Sequence, residues 1–301
     1  MRMAAPCTLL LLSACTADDP KEEVVDVVEV VHIGVDIDVA WVTQPAALYE
    51  LLAVVTVSRV EVPANPGGEV IDEEPLDEEP VDGCTLKTFD PSTAEHEPYS
   101  DVEALDVGPS VLLTVGDTRV ELPAVDDTGG RYYVLATDSD TVSLPFPAAV
   151  GVELSGDGES GIAATTLADA AWIPEPFAWT GPPALASGLD PEIAVTEDIV
   201  LAWEGAPSGD DPGFGVWVNN SGSTAATGEF WEQLSCDLAD DGVYTVTAAE
   251  QGALQIDEDA PLRTVQLERY AADTALPLGD GFIGSYFASQ IRRADYVPVA
   301  D

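Results

Sequence analysis

Val35-Asp36-Ile37-Asp38-Val39 alternates apolar and acidic residues one by one, and this stretch decides the fold class. Successive side chains of a β-strand point to opposite faces, so the alternation predicts a strand with one buried and one solvated face. It lies within residues 28–42, which are rich in valine, isoleucine and tryptophan. Residues 52–62 repeat the pattern, and we therefore expect two strands early in the chain.

The following residues hold further strand signals and no long amphipathic helical pattern. Residues 110–122 predict a hairpin, in which Gly116-Asp117 separates two apolar runs and suits a primed turn. We expect a second strand pair, 132–137 and 141–146, around Asp138-Ser139-Asp140, and another strand at 150–154. These segments together predict an all-β protein.

The second half of the chain carries the most specific fold signature. Strand signals at 193–195, 199–203, 215–218 and 230–236 lead into Asp240-Asp241-Gly242-Val243-Tyr244-Thr245-Val246. This stretch resembles the Asp-x-Gly-x-Tyr-x-Cys segment of immunoglobulin-like domains. The resemblance implies a β-sandwich in which the Tyr244 hydroxyl bonds to nearby backbone, the tyrosine corner. Val246 replaces the cysteine of antibody domains, as in polycystic-kidney-disease-type modules. A plain Asp-Asp-Gly hairpin turn is the alternative, and it also gives an antiparallel sheet.

Proline-rich residues 173–188 predict a junction between two β-sandwich domains, 28–172 and 173–301, the second immunoglobulin-like. The acidic residues 63–83 have strands on both sides, so we expect a long exposed loop within the first domain. Trp203 and Trp217 each stand in an apolar strand of the second domain. We expect both in the core, rather than exposed for stacking on a ligand.

Leu12-Ser13-Ala14-Cys15 follows a short apolar run and precedes an acidic segment. The run is shorter than the about 20 residues of a membrane-spanning helix, and it is typical of an export signal. The stretch resembles the lipobox of bacterial lipoproteins. The resemblance implies a signal peptide at 1–14, a lipid anchor (palmitate among its chains) on Cys15, and an acidic tether at 15–27. Thr16 implies sorting to the outer membrane of the cell envelope, by analogy with enteric bacteria. An ordinary cleaved signal peptide is the alternative.

The overall plan is similar to a class of lipoproteins from myxobacteria and related lineages. The motifs that carry this resemblance are a cysteine, Cys84, ahead of Leu105-Asp106-Val107-Gly108-Pro109, and a strand cysteine, Cys236, ahead of Asp240-Asp241-Gly242. The resemblance implies the order lipobox, first β domain, second β domain, and it implies no particular activity.

The chain has 56 acidic and 10 basic side chains, a formal net charge of −46 at pH 7. This charge repels nucleic acid, so we expect no nucleic-acid partner. Three interpretations are open: solvation in saline surroundings, Ca²⁺ bound by acidic loops, and an acidic surface for a cationic ligand.

Asp237, Asp240 and Asp241 carry the calcium prediction, because oxygen ligands grouped in a loop suit Ca²⁺. Their spacing superficially resembles an EF-hand loop, but Ala239 and Ala248 stand where ligands are needed. Asp and Gly are also the usual turn residues, so turn formation is the preferred interpretation, and no other cofactor is expected.

Removal of the signal peptide and acylation of Cys15 would leave two cysteines, Cys84 and Cys236. In an oxidising compartment we expect a disulfide between them, joining the two predicted domains. Two free, buried thiols are the alternative.

Motifs for catalysis are missing from the sequence: it has no Gly-x-Ser-x-Gly, no phosphate-binding loop and no His-Glu-x-x-His. Its two histidines, His32 and His96, have no sequence partner for a serine triad. We therefore expect a non-enzymatic, lipid-anchored envelope protein with a structural, adhesive or ligand-binding role, whose partner is an envelope protein or polysaccharide. The alternatives are a carbohydrate-active hydrolase with an unrecognised carboxylate pair and a subunit that binds sugar or cationic peptide. A binding module should show exposed aromatic surface, and a hydrolase two carboxylates in a cleft.

Overall fold

A computed structural model describes residues 27–41, 48–63, 78–81, 84–89, 103–127, 130–188, 190–205, 212–221, 231–254, 262–279 and 281–300. The predicted signal peptide, Cys15, most of the tether and His96 lie outside these residues. So does most of the acidic loop 63–83. In the part of the chain that is described, no helix is long and apolar enough to cross a membrane.

Most of the described residues lie in strands, as the sequence predicts for an all-β protein. The strands are β1 (Val27–Trp41), β2 (Tyr49–Pro63), β3 (Glu78–Val81), β4 (Cys84–Phe89), β5 (Glu103–Ala104), β6 (Ser110–Val115), β7 (Thr118–Asp127), β8 (Gly130–Asp138), β9 (Ala148–Leu154), β10 (Thr165–Ile173), β11 (Ala178–Gly181), β12 (Glu192–Ala194), β13 (Ile199–Glu204), β14 (Gly213–Ser221), β15 (Trp231–Leu238), β16 (Val243–Val246), β17 (Leu262–Gly279) and β18 (Phe282–Val299). Two short helices accompany them, α1 (Pro183–Ala186) and α2 (Ala248–Ala253).

One long sheet organises the molecule. Its strands follow the order β10-β9-β6-β7-β8-β2-β1-β18-β17-β14-β15-β4-β3, with β12 and β5 attached at β18 and β2. Neighbours along this order are antiparallel except β1 and β18, which run parallel. A separate small sheet has the order β11-β13-β16.

Both hydrophobic cores lie on the same face of the long sheet. Cross-strand partners share a face, so Ile37 on β1 and its partner Ala288 on β18 point the same way. The first core lies between β1, β2 and β8 and the folded-over strands β6, β9 and β10. The second lies between β14, β15 and β17 and the small sheet. Each half of the molecule is thus a pair of packed layers that shares the long sheet with the other half.

Hydrogen bonding continues across the predicted domain junction at residues 173–188. Strand β1 of the first predicted domain pairs with β18 of the second over eleven residue pairs, Val31–Phe282 to Trp41–Arg292. Strand β4 likewise pairs with β15. The two core clusters nevertheless divide mostly at this junction. The separation into two domains is therefore visible in the cores and not in the sheet, and it stays a prediction.

The predicted hairpin at 110–122 is confirmed as β6 and β7, and Gly116 has the positive φ of 58° that a primed turn requires. The predicted strand at 141–146 is wrong. There the Tyr49 hydroxyl donates to Val142 O at 2.8 Å and accepts from Leu144 N at 2.7 Å. These bonds take the place of a strand partner, and β8 pairs instead with β2 and β7.

Helix α2 is held at both ends by side chains. Thr247 Oγ1 accepts from Glu250 N at 3.2 Å, and Glu250 Oε2 accepts from Thr247 N at 2.6 Å, which is a capping box. At the other end the buried Arg263 donates to Gln251 O at 2.9 Å and to Leu254 O at 2.8 Å. A cation at a helix C-terminus is favourable, so Arg263 fixes this helix to β17.

Candidate functional site

Cys84 and Cys236 form the predicted disulfide. The register of β4 and β15 places Thr85 opposite Ser235, so the cysteines are the next pair along two antiparallel neighbours. Their Cα atoms are 4.3 Å apart, and both side chains are buried. The bond joins a strand before the predicted junction to a strand after it.

Tyr244 lies beside this disulfide and bonds to a side chain. Its hydroxyl donates to Glu250 Oε1 at 2.6 Å, and both oxygen atoms are 3.0 Å from Cys84 Sγ. A tyrosine corner ties its hydroxyl to backbone, whereas this bond reaches the capping box of α2. Tyr244 therefore connects β16, α2 and the disulfide.

The two sulfur atoms and a carboxylate oxygen of Glu250 lie within 4.8 Å of one another, a spacing that would suit a metal ion. Metal binding requires thiolates, and these sulfur atoms are bonded to each other. In the oxidised protein this group is therefore a buried structural cluster.

Asp240, one of the three predicted calcium ligands, is instead the partner of a buried cation. Its Oδ2 accepts from Arg269 Nε at 2.6 Å, and its Oδ1 accepts from Trp203 Nε1 at 2.7 Å. Arg269 is fully buried and also donates to the carbonyls of Glu175 and Gly205. With both oxygens bonded, the Asp240 carboxylate neutralises Arg269, and its role as a ligand of Ca²⁺ stays a prediction.

The other two predicted calcium ligands are exposed. Asp237 is the strand partner of Gly215 and lies on the face of the long sheet away from the cores, where its Oδ1 accepts from the Tyr270 hydroxyl at 3.3 Å. Asp240 is directed to the core side. Asp241 lines a cavity of about 190 Å³ with Trp203 and Asp240. These contacts do not group the three aspartates around one point, so a calcium site there stays a prediction.

On strands β8, β2, β1, β18, β17, β14, β15 and β4, we call the face of the long sheet opposite the two cores the outer face. On β1 it carries the residues that alternate with the core residues, including His32, Asp36 and Asp38. The register extends it to both sides. Its members on the neighbouring strands include Glu50, Leu52, Val54 and Thr56 on β2; Ser285, Phe287, Ser289, Ile291 and Arg293 on β18; Gln266, Glu268 and Tyr270 on β17; Gly213, Gly215 and Trp217 on β14; and Asp237 on β15.

Aromatic rings lie on the outer face around β17. Tyr270 and Phe287 stack with ring centroids 5.4 Å apart and an interplanar angle of 22°. The Tyr270 ring lies over Gly213 and the Trp217 ring over Gly215, where an added Cβ would overlap each ring. Two glycines in β14 therefore make room for rings to lie against the sheet. Trp217 was expected in the core with Trp203, but only Trp203 is there.

Two carboxyl groups lie beside these rings, Asp38 on β1 and Glu268 on β17, with Ser289 of β18 between them. Ser289 on β18 donates to Asp38 Oδ1 on β1 at 2.7 Å and also bonds Glu268 on β17. Gln266 Nε2 donates to Glu268 Oε2 at 2.7 Å. Burial raises the pKa of Glu268 to about 7, and the Asp38 charge adds to this, while the bonds from Gln266 and Ser289 oppose it. A carboxyl that is half protonated near neutral pH thus lies next to an acidic strand.

The adjacent part of β1 carries two further titratable groups. Partial burial and the neighbouring Asp38 charge raise the pKa of Asp36 above its usual value. His32 Nε2 is 3.0 Å from Ser285 Oγ, and burial lowers the His32 pKa. No partner for His32 was evident from the sequence, and the register of β1 with β18 places Ser285 next to it.

The acidic groups of the outer face differ from the carboxylates that pair with arginine elsewhere in the described part of the fold. Six carboxylates of the described residues form ion pairs with arginine: Glu29, Glu103, Glu153, Asp106, Asp126 and Asp240. None of these six carboxylates is a member of the outer face. Asp36 on β1 and Glu50 on β2 are exposed on the outer face. Leu52, two residues after Glu50 on β2, is 43% exposed.

Most of this surface was not predicted, because no strands were expected in residues 262–299. The segment Thr264-Val265-Gln266-Leu267-Glu268 alternates polar and apolar residues and could have been recognised. Residues 288–291 of β18 are all buried, so this part of the strand does not alternate between buried and exposed side chains. Only the three-dimensional register brings Asp38 and Glu268 together.

The fold and the outer face define an all-β protein in which one sheet serves two cores and presents an acidic surface with aromatic rings. Comparisons with protein-family models, with curated proteins and with solved structures give no match.

Proposed function

We propose that the protein is a lipid-anchored, non-catalytic binding protein of the bacterial cell envelope, with the outer face as its contact surface. The anchor is Cys15, in the lipobox Leu12-Ser13-Ala14-Cys15, and the site of action is the outer membrane. The partner is another component of the envelope, a protein or a polysaccharide.

The observation that carries the binding role is the composition of the outer face. Both cores occupy the opposite face of the sheet, so the stacked pair Tyr270 and Phe287 is not needed to close a core. Aromatic rings supply most of the contact energy at many binding surfaces. The adjoining carboxylates supply hydrogen-bond acceptors and charge.

Metabolic labelling tests the anchor. We expect the full chain to incorporate a palmitate analogue, Cys7→Ala to keep the label, and Cys15→Ala to lose it. Cys7 is the matched control because it lies within the predicted signal peptide. Label retained by Cys15→Ala would contradict the anchor.

Cosedimentation with isolated cell envelopes tests the binding role. We expect Phe287→Ala to weaken retention of the full chain by about tenfold, the loss typical of a contact residue. Trp172→Ala is the control, because Trp172 is 40% exposed and lies on β10, in the other layer. Equal retention of all three proteins would contradict the outer face as the contact surface.

A carbohydrate-active hydrolase is the second candidate, and one observation favours it. Glu268 has a raised pKa and is linked to Asp38 through Ser289. Glycosidases use one protonated and one ionised carboxyl group, which flank the bond that is cleaved. New reducing ends released from envelope polysaccharide by the full chain, and not by Glu268→Gln, would favour catalysis over binding.

A further inference from the structure

We propose that the outer face binds an extended polypeptide segment with lysine or arginine at every second position, lying along β1. This inference deepens the proposed binding function and depends on it, but it does not depend on the lipid anchor.

The charge of the outer face selects a cationic partner. Seven described carboxylates lie on this face: Asp36, Asp38, Glu50, Asp138, Asp237, Glu268 and Asp295. The described basic side chains of the face are Arg293 and Lys87. Arg293 lies on β18, four residues or about 13 Å along the strand from Ser289, the partner of Asp38, and it donates to Gln266 Oε1 at 2.7 Å. A basic ligand therefore meets uncompensated negative charge at β1 and β2, in a chain whose net charge is −46.

The spacing along β1 selects an extended peptide. Asp36 and Asp38 are two residues apart on one face of a strand, a separation of about 7 Å. In an extended peptide, side chains at alternate positions share one side and have the same repeat. Successive basic residues of such a peptide can therefore reach Asp36 and Asp38 without bending the peptide backbone.

The neighbours of these carboxylates suit the stems of basic side chains. Asp36 lies between its strand partners Val54 on β2 and Phe287 on β18. A cation held at Asp36 would lie next to the aromatic ring of Phe287, which attracts it further. Leu52, beside Asp38 and 43% exposed, offers apolar contact to a lysine or arginine stem. A neutral polysaccharide could stack on the rings, but it would leave the carboxylates unneutralised.

The test measures binding of a labelled peptide of alternating lysine and threonine to the full chain in neutral detergent, by fluorescence anisotropy. The comparison peptide has the same composition with all lysines in one block. We expect the alternating peptide to bind about tenfold more tightly, and added salt to weaken it steeply. Equal affinity for both peptides would overturn the proposal, because binding would then depend on net charge alone.

Variants locate the binding. Asp36→Asn with Asp38→Asn should weaken the alternating peptide by about tenfold or more. The matched control is Asp117→Asn with Asp140→Asn, which removes two exposed carboxylates from turns and should leave affinity unchanged. If the first variant unfolds, Glu50→Gln on β2 replaces it, with a smaller loss expected. The same loss in the control variant would overturn the proposal.

The same measurements can show that the ligand of the outer face is a sugar and not a basic peptide. Binding of a neutral chitin oligosaccharide with no binding of the peptide would overturn the basic partner. Retention on cell envelopes that still depends on Phe287 would then leave the proposed binding function standing. If retention on cell envelopes did not depend on Phe287 either, both the basic partner and the proposed binding function would be contradicted.

Discussion

Arg269 and Asp240 form a buried ion pair that ties the long sheet to the small sheet. Arg269 extends from β17, and Asp240 lies between β15 and β16. The guanidinium also bonds the carbonyl of Gly205, directly after β13, and the carbonyl of Glu175, ahead of β11. One buried cation thus holds four parts of the second half in place.

Asp240→Asn should lower the free energy of unfolding by about 3–5 kcal/mol, because it leaves Arg269 buried without its counter-charge. Urea unfolding measures this change. Asp241→Asn is the matched control, with an exposed side chain and an expected change below about 0.5 kcal/mol. The loss in Asp240→Asn should be the same with millimolar Ca²⁺ as with a chelator, at matched ionic strength. A loss that appears only with Ca²⁺ would show that Asp240 is a calcium ligand after all.

Removing the disulfide should destabilise the protein strongly. Cys84 and Cys236 are 152 residues apart in sequence, and a loop of this length predicts a stabilisation of about 5 kcal/mol in the chain-entropy treatment. Thermal unfolding of Cys84→Ala with Cys236→Ala, compared with the oxidised protein, measures the effect. Reductant should destabilise the native chain and leave the variant unchanged. Mass spectrometry that found free thiols at both positions would contradict the bond itself.

Glu250 and Tyr244 should be energetically coupled. Glu250→Ala removes the capping box of α2 and the acceptor of the Tyr244 hydroxyl, with an expected cost of about 2–4 kcal/mol. Tyr244→Phe removes only the hydroxyl, at a cost of about 1–2 kcal/mol. Unfolding of both single variants and the double variant gives a coupling energy, expected at about 1 kcal/mol. Strictly additive losses would mean that the 2.6 Å bond contributes nothing to stability.

Glu268 should make stability depend on pH. Its pKa is about 7 in the folded protein against 4.5 for the ordinary group, so the folded state holds a proton that the unfolded chain releases. The free energy of unfolding therefore falls as the pH rises through this window. Glu268→Gln removes the effect, so its stability relative to the native protein should rise by about 2–3 kcal/mol between about pH 5 and about pH 8.

The control for this measurement is Glu121→Gln, because Glu121 is exposed on β7. Its stability relative to the native protein should not change with pH. A pH-independent difference for Glu268→Gln would mean that the Glu268 carboxyl is already ionised at about pH 5.

The alternation at Val35–Val39 was sufficient to predict β1, because a strand that is buried on one face shows its period in the sequence. The disulfide between Cys84 and Cys236 could be predicted because the lipobox resemblance assigns Cys15 to the anchor and Cys7 to the signal peptide. Two cysteines then remain. Trp217 was misplaced because an apolar strand does not reveal which face each ring occupies. Only the glycines at 213 and 215 indicate that rings lie on the outer side.

The candidate surface could not be predicted, because its residues come from β1 and from β17–β18, more than two hundred residues apart in the chain. The parallel pairing of β1 with β18 has no local signal, since it depends on how both cores close over one sheet. Asp38, Ser289 and Glu268 are ordinary strand residues in sequence, and they become neighbours only through that pairing.

Carboxyl footprinting tests most directly whether the outer face is the contact surface. The full chain is treated with carbodiimide and glycine ethyl ester, with and without isolated cell envelopes, and labelling at each carboxylate is measured by mass spectrometry. The account predicts that bound envelope material protects Asp36 and Glu50, which are exposed on the outer face, and leaves Asp117 in the β6–β7 turn fully labelled. Unchanged labelling of Asp36 and Glu50 on binding, with protection at Asp117, would contradict it.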